Sequence, residues 1–271
     1  MASTRGVWTP YAAVVASRIR AQRSYRTSFA LDILGSLLIG LTEFGEVWVV
    51  FHNVDALGGL DFHAILLLFG LANLTFSLAD MVVGHVDELP RYVRTGTLDA
   101  FYLRPQPVLA QLMTSAFQLR RLARTAVALV ALGFGITLND VSLLDPRAVT
   151  LLLLSLVCGV TIFGGLFVCA AGVQFFLING AEVTNAFTYG GSYAAAQPAS
   201  IFPTPLKLVF GFIIPVAFTA YLPTLAILEL PGPAGLPSWL AWCLPLAAAW
   251  VWLMALTIWR WGSRHYQGGG G

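Results

Sequence analysis

The chain has little charge and almost no lysine. Of its 271 residues only 10% are charged, against roughly 25% in a soluble domain, and Lys207 is the single lysine. A phosphate-binding loop needs Gly-Lys followed by Ser or Thr, so that backbone amides and an ammonium meet the phosphates. Leu206 precedes Lys207, which excludes ATP hydrolysis by that route. Cysteine is scarce as well. Cys158, Cys169 and Cys243 all fall in apolar runs and read as small core hydrophobes rather than disulfide or metal partners. No H-E-x-x-H is present, and His52, His63, His85 and His265 lack ligand spacing. Ser192, after Gly190-Gly191, has no neighbouring histidine to activate it. No catalytic residue and no metal-ligand set is assigned.

What is present is apolar: 58% hydrophobic residues and a mean hydropathy of +0.77. The expected fold class is an all-α polytopic membrane protein with six transmembrane helices, at 29–51, 62–84, 113–137, 148–177, 206–229 and 238–260. Each covers the length of about 20 residues that a hydrocarbon core requires. In the fourth, Gly159, Gly165 and Cys169 offer a small-residue face for close helix packing. Ahead of the spans, Arg18, Arg20, Arg23 and Arg26 interleave with apolar residues at helical spacing, which predicts an interfacial helix over 1–28 on an anionic leaflet. The domain division is therefore 1–28, a six-helix transmembrane domain over 29–262, and a tail over 263–271.

Arginine placement sets the orientation. The N-terminus, the 85–112 region, Arg120, Arg121 and Arg124, Lys207 and the tail fall on one side, and Arg147 stands alone on the other. Basic loops are cytoplasmic, so both termini are expected there. Acids inside spans are costly, at about 2.5–3.5 kcal/mol each at a helix centre. Asp80 lies near an inner end, where interfacial arginines are in reach. Glu43 and Glu46, three apart on one helix face, admit two readings: the polar wall of a cavity, or a packing network bonded to neighbouring helices. Removing either charge is expected to relieve a burial cost and leave folding intact.

The charged island VDELPRYVRTGTLDAFYLRPQPVLAQ, 86–111, interrupts the apolar pattern. Val86, Leu89 and Val93 form one stripe, Pro90 fits a first turn, and Asp87 and Arg91 are spaced to support a helix. Gly96 ends that helix, and Thr97 is placed to cap a second one carrying Leu98, Phe101 and Tyr102. Arg104-Pro105-Gln106-Pro107 closes it. The island reads as two short helices lying on the membrane surface. Residues 178–205 lack basic residues but fall on the cytoplasmic side of this layout, with a short interfacial helix near 194–201 or a partly re-entrant segment as the two options.

VRTGTLDAFYLRPQP (93–107), QPASIFPTPLK (197–207) with IIPVAFTAYLP (213–223), and the tail WRWGSRHYQGGG (259–270), with Gly262, Tyr266 and Gly268 in a Gly-x-x-x-Tyr-x-Gly ending, resemble the membrane subunit of a type-2 ATP-binding-cassette exporter. The resemblance covers nearly the whole chain and includes no catalytic motif. It implies a permease without cofactor of its own, pairing with a second permease chain and with a separate ATPase dimer that holds ATP and Mg. It also implies a bacterial inner membrane, and that the island is a coupling helix, with Asp87, Glu88, Arg91, Arg94, Gly96, Asp99 and Arg104 at the ATPase contact. Membrane lipids are expected partners, and nucleic acid is not. The reading from another class is an ion- or proton-coupled carrier working alone, with Glu43 and Glu46 as coupling acids; a third is a membrane scaffold.

Overall fold

The computed structural model describes residues 26–116, 118–177, 181–232 and 236–266, together with Ser17. Arg18, Arg20 and Arg23 of the expected interfacial helix lie outside these residues, as does the side chain of Arg26.

Every regular element among the described residues is helical. The long ones follow the apolar runs. α1 is Arg26–Asn53 and α2 is Phe62–Val83, whose first turn is capped by the Asp61 carboxylate accepting from the Ala64 amide. A 3-10 turn, Gly84–Glu88, leads into the island helices α3, Leu89–Arg94, and α4, Asp99–Tyr102. α5, Val108–Thr114, and α6, Leu122–Leu138, follow. α7 is Pro146–Gln174, with Asp145 as its cap. α8, Ala181–Ala195, precedes the short α9, Thr204–Leu208, and α10, Tyr221–Ile227. α11, Leu244–His265, completes the chain.

Among the described residues, four helical stretches are long and apolar enough to cross a membrane: Phe29–Asn53, Phe62–Arg94, Pro146–Gln174 and Ser238–His265; the bent pair Thr204–Ile213 and Val216–Ile227 makes five if counted as one span. The expectation of six spans at the stated positions is therefore met only in part. The third expected span starts late. The chain breaks after α5, the Gln118 amide bonds the Met81 carbonyl, and α6 begins only at Leu122. The fifth is broken by a bend of 71°. Pro215 has no amide to donate and excludes a helical Ile214, which takes φ −113° and ψ 81° after a π-turn over Val209–Ile213. Side chains of other helices satisfy carbonyls near the break: Trp250 Nε1 donates to Ile213 at 3.3 Å and Ser155 Oγ to Thr219 at 2.5 Å.

The 178–205 segment also departs from expectation. Gln174, at the end of α7, donates to Thr184 near the start of α8. Beyond the other end of α8, Ser200 donates to the Gly58 carbonyl at 2.7 Å, in the loop joining α1 to α2. That loop and the island sit at opposite ends of α2. Residues around Ser200 thus lie at the end away from the island, not beside it. A 15-residue helix rich in Ala, Gly, Ser and Thr carries the chain between the two ends.

The core forms where α2 packs on α6 and α7, and α7 on α11. Backbones meet closely at Gly70 and Gly135, where an added Cβ would strike the backbones of Leu132 and Leu67. The small residues of α7 divide between two partners: Gly159 faces Thr75 of α2, and Gly165 faces Val251 and Trp252 of α11. In contrast, only 17% of the most apolar stretch of α1 is buried, against 83% for the stretch that contains α2.

Candidate functional site

Two places gather the polar side chains that an apolar chain can least afford to leave unpartnered. The first is a node inside the helix bundle. Arg124, 7% exposed on α6, donates from Nε to Glu43 Oε2 at 3.1 Å and from Nη2 to Glu43 Oε1 at 2.7 Å. The same Nη2 reaches Asn73 Oδ1 at 3.1 Å, and the guanidinium lies 5.0 Å from the centre of the Phe76 ring. Two parallel bonds from a planar fork match a carboxylate better than a point charge does. A second pair, Arg121 Nε to Asp80 Oδ2 at 2.7 Å, is closer to the island, with Asp80 fully buried.

A cavity of about 150 Å³ opens beside the Arg124 node, between α1 and α8. Glu43, Glu46, Asn73 and Arg124 line one side, and Tyr189, Ser192, Tyr193 and Gln197 the other. Both acids chosen from the sequence thus border the cavity, but they differ in kind. Glu43 is held by Arg124 and belongs to a packing network, while Glu46 is exposed. Arg124 is the partner that sequence reasoning did not supply. Its signal was present: an arginine three residues beyond the Arg120-Arg121 pair, at the head of an apolar run.

The second place is the island. Its two helices meet at Gly96, whose φ of +67° only glycine adopts without strain. Val86 and Leu89 are fully buried and Val93 partly so, so the expected stripe faces the protein. Pro90 sits in the first turn of α3. Two local expectations fail. Asp87 does not pair with Arg91. Its carboxylate oxygens are buried, facing Tyr189 with Asp80 and Arg121 near, because the 3-10 turn rotates it inward; Arg91 instead meets Glu88 at 3.6 Å, both exposed. Thr97 does not cap α4 either, since Leu98 takes that position and the Thr97 hydroxyl pairs with that of Thr95 at 2.8 Å.

Further side chains hold the island from beneath, among them Gln111 and Tyr92, neither singled out from sequence. Gln111 donates to the Phe101 carbonyl at 2.9 Å and the Gln106 carbonyl at 2.7 Å. His85 Nε2 and the Tyr92 hydroxyl are 2.9 Å apart, and Tyr92 packs edge-on against Phe101. Asp99 accepts from Tyr266 of the tail. Outward, Arg91, Arg94 and Arg104 are exposed, and Leu103 is 88% exposed at the tip. The site residues chosen from sequence therefore divide: Glu88, Arg91, Arg94 and Arg104 form an outer surface, Gly96 is the joint, and Asp87 and Asp99 anchor the island inward.

No curated protein and no solved structure matches the chain. A family model described as "ABC-2 family transporter protein" matches residues 37–270. The match takes in the cavity, the island and the tail, and the chain, a multi-pass membrane protein, belongs to the ABC-2 transporter family.

Proposed function

We propose that this chain is the permease subunit of an ATP-driven exporter, enclosing the substrate path with a second permease chain and moved by a separate ATPase docked on the island. The observation that carries this reading is the island's build. Leu103, almost wholly exposed, and the exposed Arg91, Arg94 and Arg104 belong to one island, which Gln111 and Tyr92 fix from below. An exposed apolar side chain and three exposed cations on one anchored island suit a partner surface with an apolar pocket and acidic residues. The thinly covered face of α1 supports a second permease chain lying against it. ATP and Mg belong to the partner, because this chain has no lysine-containing phosphate loop.

The test is affinity purification in mild detergent. The permease should bring down an ATPase subunit, and ATP turnover should track that subunit; the permease stripped of it should show none. ATP hydrolysis by the isolated chain would sink the assignment. The carrier reading, with Glu43 and Glu46 as coupling acids, keeps only Glu46, since Arg124 engages both oxygens of Glu43.

We read the membrane crossings as α1, α2, α6, α7, α8 and α11, with 204–227 dipping in from the face opposite the island. This keeps both termini on the island's side, which the arginine bias marks as cytoplasmic. A cysteine at Ile201, 43% exposed, should react with an impermeant thiol reagent from outside, as should one at Leu143. One at Thr95 should react only from inside. Labelling of Ile201 from the cytoplasmic side would restore 206–229 as a full crossing.

A further inference from the structure

Neither the docking surface nor the cavity accounts for the ending that places Gly262 and Tyr266 four apart. The last turn of α11 meets the end of α7 so closely that a side chain at Gly262 would fall on the Gly172 carbonyl and the Phe175 ring. That approach fixes where the chain leaves the helix. Tyr266 then turns to extended backbone, φ −72° and ψ 119°, and its side chain reaches across to the island. The hydroxyl donates to Asp99 Oδ1 at 2.9 Å. The ring stacks on Tyr102, with centroids 5.8 Å apart and planes 11° from parallel. Phe175, just past the end of α7, lies 6.1 Å from it and packs in turn against Trp259 of α11. Burial, and then the bond to Asp99, push the Tyr266 phenol up to about 12, so it remains a donor throughout the physiological range.

We infer that Tyr266 is a positioning residue: the end of α11 is a strut that fixes α4 against α7 and α11, in the register on which the ATPase docks. This rests on the docking role proposed for the island. The need for a strut follows from the size of α4. Four residues make too few hydrogen bonds to hold a helix unaided, and the Gly96 joint adds freedom at its start. Gln111 secures the end of α4 and Tyr266 its beginning, while Leu103 projects beyond both. A push on Leu103 then reaches α7 and α11 through Tyr266, as well as α2 through the continuous chain.

A nitroxide on Leu103→Cys, with Cys243→Ala to remove the half-buried native thiol, reports island mobility in the permease alone. Tyr266→Ala should sharpen the spectrum markedly. Tyr266→Phe, which keeps the stacking and loses the bond, should fall between it and the native chain, and Asp99→Asn should behave likewise. In unlabelled chains, Tyr266→Ala should lower ATPase recovery on the order of tenfold at unchanged membrane abundance. Unchanged label mobility in Tyr266→Ala overturns the strut. So does raised mobility with undiminished ATPase recovery, because the register would then not matter to docking. Leu103→Asp with Tyr266 intact separates the two ideas: full ATPase recovery there refutes the docking surface itself, whatever the label shows.

Discussion

Glu43→Gln is expected to destabilise the protein by about 3–5 kcal/mol, the cost of breaking a buried pair from one side. Arg124 cannot discharge, and with Glu43 gone it would keep its charge beside Phe76 and Asn73, 7% exposed. Arg124→Met should cost less, because a glutamate with 26% of its side chain exposed reaches water and can take up a proton. The double variant should recover most of the loss, since an ion pair replaced by uncharged groups of similar volume is often near neutral. Glu46→Gln, at an exposed position, should stay within about 0.5 kcal/mol of the native chain. The thermal midpoint in detergent, alongside membrane abundance, decides. A Glu43→Gln chain as stable as the native one would show that Arg124 does not depend on the pair. This reverses the expectation from sequence, where Glu43 had no visible partner and its removal looked harmless.

Reversing Arg91 and Arg94 to Glu should abolish recovery of the ATPase while leaving the permease inserted and paired. Locally the change is small. The Arg91–Glu88 contact is exposed on both sides and contributes little, and like charges along one short helix cost only about 0.2–0.5 kcal/mol per pair. Against a complementary acidic rim, each like-charge juxtaposition costs several kcal/mol, which puts binding at least about a hundredfold weaker. Gly96→Pro should give the same phenotype by another route. Proline is locked near φ −65° where the chain needs +67°, and it removes the amide that donates to Val93. Co-purified ATPase per unit of membrane-inserted permease is the measurement. Full recovery with both arginines reversed would remove the island as the docking element.

The long helices were legible because their signal is local. α1, α2 and α7 begin and end within about three residues of the expected spans, α11 is displaced further along the chain, and Gly96 marked the island's joint. The failures share a physical cause, which is that the deciding contact lies far along the chain. Arg124 finds Glu43 across 81 residues, and Ser200 finds Gly58 across 142. α8 was missed for a different reason. Gly, Ser, Thr and Tyr interrupt its apolar residues, because that face packs on aromatic and polar neighbours, Phe76 and Phe167 against Tyr189 among them, rather than on hydrocarbon. Pro215 announced a break in its helix, but not that the chain would turn by 71° there.

The smallness of the chamber at Arg124 bears on what it can hold. Its volume of about 150 Å³ is below the roughly 300–1,000 Å³ that encloses a drug-sized molecule, so in this form the room is shut to anything of that size. One wall is α1, which few neighbours cover and which the Glu43 carboxylate fastens at mid-length. The fastening runs to Arg124 of α6, so a widening that carries α1 away from α6 stretches it. The ion pair is thus a latch as well as a brace, and its strength sets the work that such a displacement requires.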